Sequence, residues 1–490
     1  MKPLLVNPNT VGNGRARIPC LAACLALITA VAHAQSESPP SSTVFNIPFE
    51  RVTLPNGLNV ILSPNHTAPR VTVDVWYHVG SKNEAPGRTG FAHMFEHVMF
   101  QGSGHAPYGL LDRLTEGVGG NNNGSTTNDR TNYYENIPSN YLESALWLEA
   151  DRMGFLLETL DNAKFAAQRD VVQNERRQQY DNQPYGRTLE ILEAAMMPAS
   201  NPYSWPVVGY MADLQKASVE DVRDFFRIYY APSNATLAIV GDFEPVQAKA
   251  WVTKYFGGLQ RGGKITRPKV SRSILKSEKR LVFEDRVQTA RLNLAWPTVG
   301  KDNDDSYALQ ALAQILSGSR TARLTKALVY DLQTAANVGA VATAAENAGY
   351  FTISVTPRLG HSLVQLEEAV DSVIEQLKRK GPSAAELAKT TAGLEFGFVS
   401  KLQSNYGKAE TLNDGVVFHG DAAHYKNAIA KLKAVRPADV RRVADRYLHS
   451  GRVVLSVVPL GKVDQASKPG ECSRVTVAPD GGHYLMGRIP

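Results

Sequence analysis

The sequence predicts an α+β fold made of two duplicated α/β-sandwich domains, each a mainly antiparallel sheet covered by helices. Three observations predict it. The chain has 490 residues, more than the roughly 250–300 that one hydrophobic core normally serves. It contains a repeat at an offset of 218 residues: Leu214, Lys216, Asp221, Val222, Arg223, Tyr229, Leu237 and Val240 recur as Leu432, Lys433 (one position early), Asp439, Val440, Arg441, Tyr447, Leu455 and Val458. Short alternating strands are mixed with long amphipathic helices, the pattern of helices layered on one face of a sheet.

The N-terminus carries Arg15 and Arg17, then the apolar run from Ile18 to Ala32, then Ala32-His33-Ala34, which together fit a signal peptide over residues 1–34. The run has 15 residues, short of the roughly 20 that cross a bilayer, and no later stretch comes closer. The expectation is an exported protein without a transmembrane segment, placed in the periplasm. Leu21-Ala22-Ala23-Cys24 offers lipoprotein anchoring as the less favoured alternative. Removing residues 1–34 takes away Lys2, Arg15 and Arg17 and no acidic group, so the formal charge falls from +6 to +3 (6 − 3), too small an excess to indicate nucleic-acid binding. Of three cysteines only Cys472 would remain, so no internal disulfide is available and stability must come from core burial.

Residues 35–45 are read as a flexible leader, Pro- and Ser-rich at Gln35 to Thr43. Val52 to Leu62, broken by Pro55-Asn56-Gly57, predicts two strands around a turn, and Val71, Val73, Val75, Tyr77 and Val79 alternate as a strand. Each repeat copy predicts a helix followed by a buried strand, Asp221–Tyr230 then Ala235–Val240, and Asp439–Tyr447 then Arg452–Val458. The Gly-rich run from Gly257 to Gly263 marks a boundary. The expected organisation is a catalytic domain over 46–260, a linker over 261–279, a duplicate domain over 280–463 and a surface tail over 464–490.

One segment carries chemistry. His93 and His97 are four residues apart, so on a helix both imidazoles project from one face and can reach a single ion, with Glu96 beside that face. Two neutral imidazoles can hold zinc while the carboxylate serves as base toward a metal-activated water. Spacing alone leaves open that these are ordinary polar residues. The same helix bears Phe91, Met94, Phe95, Val98, Met99 and Phe100, which leaves little circumference for solvent, and buried polar groups need partners. A third ligand is required. Glu175 lies on a predicted helix from about Ala163 to Tyr180, where Val171 and Val172 are expected on its inward face and Arg169, Arg176 and Arg177 elsewhere. A buried arginine pair is the alternative role for Glu175.

His-x-x-Glu-His is the inverted zinc signature, and the chain resembles the pitrilysin and insulysin family of metallopeptidases, in particular its shorter two-domain members. The resemblance rests on the motif, on Arg130-Thr131-Asn132-Tyr133-Tyr134, on Glu149-Ala150-Asp151-Arg152-Met153, on Asn174-Glu175-Arg176-Arg177 and on the duplication. It implies a clam-like pairing of an active and an inactive half. It also implies one zinc per chain held by His93, His97 and Glu175, with Glu96 as general base; Glu175 follows His97 by 78 positions (175 − 97), as the family requires. Asn123-Gly124-Ser125-Thr126 would be an edge strand onto which an extended peptide adds, favouring unfolded or short substrates; a plain turn is the alternative. Gln168 stands where many relatives have an acidic supporting residue.

Aligning Gly102-Ser103 with Gly318-Ser319 puts Leu309, Leu312 and Ala313 at the positions of His93, Glu96 and His97, so the duplicate has lost every metal group. The family's inactive half supplies an Arg and, seven positions on, a Tyr; here those positions are Val329 and Ala336. Arg323 and Tyr330 have the spacing but lie six residues upstream. The resemblance therefore implies a related non-catalytic partner subunit that supplies the pair, with a homodimer as the other possibility. The function expected is an exported zinc endopeptidase; the alternative is a non-catalytic zinc-binding member acting as a processing or scaffold subunit. Remaining histidines such as His66, His78, His105 and His361 have no partner at ligand spacing and are expected to be surface or packing residues.

Overall fold

The computed structural model describes residues 45–479, 481 and 483–488; the expected signal peptide, and the leader as far as residue 44, lie outside the described residues. Strands β1 (Glu50–Thr53), β2 (Asn59–Pro64), β3 (Arg70–Tyr77), β4 (Asn121–Thr126), β5 (Thr131–Pro138) and β6 (Ala235–Gly241) form one sheet in the order β1-β2-β6-β3-β5-β4. Strands β7 (Lys279–Asp285), β8 (Arg291–Thr298), β9 (Ala335–Ala344), β10 (Gly349–Pro357), β11 (Val453–Pro459), β12 (Ser473–Val477) and β13 (Tyr484–Arg488) form a second, in the order β13-β12-β7-β11-β8-β10-β9. Both are mixed and mainly antiparallel: β2–β6 is the parallel pair in the first, and β7 runs parallel to β11 and β12 in the second. The fold is α+β.

The duplication is visible in the topology. The run β2-β6-β3-β5-β4 recurs as β7-β11-β8-β10-β9, with the same relative strand directions. Strands β6 and β11 start 218 residues apart (453 − 235), as do the helices Val219–Tyr229 and Pro437–Tyr447 that precede them (437 − 219). Each of these helices carries an acidic residue at its third position, Asp221 or Asp439, that accepts a hydrogen bond from the backbone N–H of the residue before the helix, satisfying a donor that the helix itself leaves free.

Helices cover both faces of each sheet, more than the single face that strand alternation suggested. On one side of the first sheet, Val71, Val73, Val75 and Tyr77 pack with Phe91, Met94, Phe95 and Val98 of the motif helix, Phe91–Val98. On the other, Ile61, Ala238 and Val240 meet Leu402, Ala409, Leu412 and Val416, the last three on the helix Asn405–His419 contributed by the second half of the chain. The exchange is reciprocal: Ile191, Leu192 and Ala195 of the helix Thr188–Met196 pack on Leu281, Phe283 and Leu455 of the second sheet. With about 1.5–3 kcal/mol gained per fully buried apolar side chain, these exchanged helices join the halves as firmly as an internal core.

The segment from residue 464 onward, expected to be a surface tail, instead extends the second sheet through β12 and β13. Its weak periodicity concealed two short strands that pair with each other and, through β12, with the sequence-distant β7. Cys472 is a free, buried thiol. No helix among the described residues is long and apolar enough to cross a membrane.

Candidate metal centre

The motif helix follows Gly90, whose φ of +88° is left-handed and whose absent Cβ leaves room for Gly209 and the carbonyl of Val208. Its first turn is capped by the carboxylate of Glu84, which accepts from the backbone N–H groups of Gly90 (3.0 Å) and Ala92 (2.8 Å). The sequence offered no local signal for this cap, because Glu84 reaches it across a loop rather than from the N-cap position. Phe91, Met94, Phe95 and Val98 face the core, and this leaves His93, Glu96 and His97 turned toward the second element of the site.

That element is the helix Asn162–Arg176, whose start is fixed by the Asp161 side chain accepting from the Lys164 amide at 2.8 Å. Glu175 occupies its last turn. His97 Nε2 lies 3.2 Å from Glu175 Oε2 and His93 Nε2 lies 3.7 Å from it. One ligand atom from each of the three residues can be chosen so that all lie within 4.8 Å of one another. The helix face differs in detail from expectation: Val172 is buried but Val171 is 45% exposed, and Arg176 is buried, its guanidinium paired with Glu190. Glu175 itself is held by Gln179, whose amide donates to Oε1 at 2.9 Å. The i,i+4 spacing of Glu175 and Gln179 could have indicated this. Gln168, the position flagged for support, forms no hydrogen bond with His93, His97 or Glu175.

The electrostatics suit a cation. Burial and the neighbouring His97 push the His93 imidazole down to about 4, so its ring is neutral near pH 7 and carries a lone pair for a metal. The hydrogen bond from His97 holds the Glu175 carboxyl below its ordinary value, keeping it ionised. The buried Nδ1 of His93 has no hydrogen-bond partner. Two imidazoles and a carboxylate converging on one point form the donor set of a catalytic zinc site with a position left open.

Glu96 stands apart from the triad. Burial raises its carboxyl above the ordinary value, and its Oε2 accepts from Thr126 Oγ1 at 2.6 Å. Thr126 ends β4, the edge strand of the first sheet, so Asn123, Gly124 and Ser125 run directly past the motif helix. A Cβ on Gly124 would lie 3.1 Å from Glu96 Cγ and 3.3 Å from Oε1, so glycine lets the strand approach the carboxylate. The expected turn alternative for this segment gives way to a paired strand, with Gly124 opposite Tyr133 of β5. Thr126 was part of the quoted segment, but its contact to Glu96 needs the tertiary fold.

Comparison with known proteins places this arrangement. Residues 59–204 match the family model described as Insulinase (Peptidase family M16), and residues 216–394 match the Peptidase M16 inactive domain. The chain belongs to the M16 peptidase family. The M16 chain is 29% identical over 434 residues to a zinc protease of Helicobacter pylori, covering 86% of this chain and 94% of that one. It is 25% identical over 432 residues to a probable mitochondrial-processing peptidase subunit beta of Arabidopsis thaliana, covering 85% and 79%. A solved structure of a Helicobacter pylori protease superposes with a TM-score of 0.79 at 27% identity, covering 85% of this chain and all of that one. A Pseudomonas fluorescens M16 inactive domain shares the fold at a TM-score of 0.75 and 18% identity.

In the half that matches the inactive-domain model, Leu309, Leu312 and Ala313 are buried in an apolar cluster on the helix Asp305–Ser317. Arg323 donates to Glu386 at 2.9 Å and 3.0 Å and to the carbonyl of Gly381 at 2.8 Å, while Tyr330 is 49% exposed. Val329 packs against the core at its margin. Three of the histidines expected to be surface or packing residues have carboxylate partners: His66 meets Asp242 at 2.7 Å, His78 meets Glu346 at 2.6 Å, and His105 meets Asp151 at 2.6 Å. None of these contacts joins the metal centre.

Proposed function

We propose that this M16 chain is an exported zinc endopeptidase acting on unfolded or short peptides, with one zinc held by His93, His97 and Glu175 and with Glu96 as general base. The observation that carries the reading is the convergence of two histidines and a glutamate from separate helices, with a second, uncoordinated carboxylate beside them. A structural zinc would have no use for that carboxylate and favours four protein ligands. Bound there, zinc would supply a Lewis acid and make water acidic near neutral pH. Thr126 fixes Oε2 of Glu96 and leaves Oε1 to take a proton from the attacking water and return it to the leaving amine. The raised affinity of Glu96 for a proton suits both transfers. The peptide main chain would add to the open edge of β4 at Asn123, Gly124 and Ser125, which accepts extended backbone and excludes folded proteins.

A partner subunit belongs to the same proposal. Val329 and Ala336 stand where the family's Arg and Tyr are expected, and Arg323 is committed to Glu386, so a related non-catalytic subunit would supply that pair; the alternatives are a homodimer or a chain that serves only as a processing or scaffold subunit. Export rests on residues 1–34, and a periplasmic location is proposed on that basis.

The test is metal analysis and peptidase assay of wild type and Glu96→Gln, each alone and with the related subunit. The expected result is one zinc in both proteins and hydrolysis only in wild type. Activity retained in zinc-loaded Glu96→Gln would end the catalytic assignment, and full activity of the isolated chain would remove the partner.

A further inference from the structure

The last strand of the second half reaches the metal centre of the first. Tyr484, on β13, donates its hydroxyl to Glu190 Oε2. Glu190 is 2% exposed and also receives both terminal nitrogens of Arg176, at 2.9 Å and 3.0 Å. Arg176 is 3% exposed and immediately follows Glu175 in the final turn of its helix. Its Nη1 further donates to the carbonyl of Gly209 at 2.7 Å. Gly209 is pressed against Gly90, where an added Cβ would lie 2.5 Å from the Gly90 Cα, and Gly90 is the residue from which the motif helix starts. Arg176 thus joins the turn carrying Glu175 to the backbone under the helix carrying His93 and His97. The ring of Tyr210 closes the cluster, 6.0 Å from the guanidinium and edge-on to Tyr484 at 6.4 Å.

We infer that Arg176, Glu190 and Tyr484 form a positioning relay that sets the separation of the two ligand-bearing helices, and that the C-terminal hairpin β12–β13 completes it. The physical reason is the bidentate geometry. A buried carboxylate with three donors has little freedom to rotate, and an arginine fork locked onto it holds its own backbone turn in place. Glu175 is part-exposed and, among the described residues, its other side-chain anchor outside the histidines is Gln179, so the azimuth of its helix turn depends on Arg176. None of these residues touches the reacting atoms. Sequence reading set the hairpin aside as a tail and Arg176 as a residue turned away from the site; both belong to the support of the zinc position. The inference rests on the proposed zinc function.

The test measures zinc affinity of the metal-free full chain by competition with a chelator, for wild type, Tyr484→Phe and Tyr350→Phe, alongside the melting temperature of each metal-free protein. The Tyr350 hydroxyl approaches Glu193 in the same buried region, but Glu193 makes no bond to Arg176, so this variant loses a comparable hydroxyl without touching the relay. Tyr484→Phe is expected to weaken zinc binding about 3- to 10-fold, at or below the roughly 10- to 100-fold typical of a direct outer-shell partner, and Tyr350→Phe to leave it unchanged even where both melt lower. Unaltered zinc affinity in Tyr484→Phe, or an equal loss in Tyr350→Phe, overturns the relay and leaves the zinc assignment standing. Failure of wild type to bind zinc overturns both.

Discussion

The two halves share a five-strand order and a helix–strand repeat at one offset, yet differ where chemistry would be done. At the positions of His93, Glu96 and His97 the second half has Leu309, Leu312 and Ala313, at 2%, 0% and 4% exposure. The histidines, by contrast, retain side-chain exposures of 13% and 22%. At these positions one helix faces a site and the other faces the core. The difference teaches that the scaffold does not need the metal groups: the same sheet folds around leucines, which pack without the cost of burying polar groups. Function is carried by a few side chains and by what holds them.

Four experiments can break or sharpen that contrast. The largest effect belongs to the base. Glu96→Gln is expected to lower peptide hydrolysis by about 10²- to 10⁴-fold, the usual contribution of a general base, with little change in melting temperature; the counterpart Leu312→Gln should do the reverse. Its unsatisfied buried amide and lost packing cost about 2–5 kcal/mol by denaturant titration, while zinc affinity holds. If Leu312→Gln instead abolished zinc binding and left stability intact, the second half would have to be assigned a direct role in the site.

Next in size is Thr126→Val, which removes the hydroxyl holding Glu96 while keeping the branched shape. An approximately 10-fold fall in kcat with KM little changed is expected, in line with losses of supporting hydrogen bonds around a metal site, and Thr126→Ser should recover most of it. A change in KM alone would move Thr126 from the base to the peptide-binding edge. The smallest effect concerns the junction of the halves, where Glu346 meets His78 and Lys82. Burial alone would raise the Glu346 carboxyl, but His78 and Lys82 hold it down at about 2. Its folded value lies below the ordinary 4.5, so its stabilising share is complete above about pH 4.5 and is lost as pH falls toward 2. Glu346→Gln should therefore flatten the acid limb of stability against pH; an unchanged limb would mean that this ion pair adds nothing to stability in acid.

Much of the site was legible because its signals are local or periodic. His93 and His97 share a helical face by spacing, and the offset of 218 placed both copies of the helix–strand unit. Glu175 was reached through the resemblance and through a helical face that proved only partly right, since Val171 is exposed and Arg176 buried. The cap from Glu84, the hydrogen bond from Thr126 and the reach of Tyr484 to Glu190 were not legible. Each joins residues 6 to 294 positions apart through loops or sheets whose paths no short-range pattern encodes.

By itself the sequence determined the fold class and the duplication and picked out His93, Glu96 and His97 as candidate ligands and base, because hydrophobic period and i,i+4 spacing are properties of neighbouring residues, while the family and Glu175 came with the resemblance. Only the tertiary structure decided that Asp74, on the polar face of β3, is fully buried and bonded to Asn132 and to Asn413 of an exchanged helix, and that residues 473–477 and 484–488 are strands. Strand alternation reports which side chains share a face, but whether that face meets water depends on a helix that arrives more than 300 residues later.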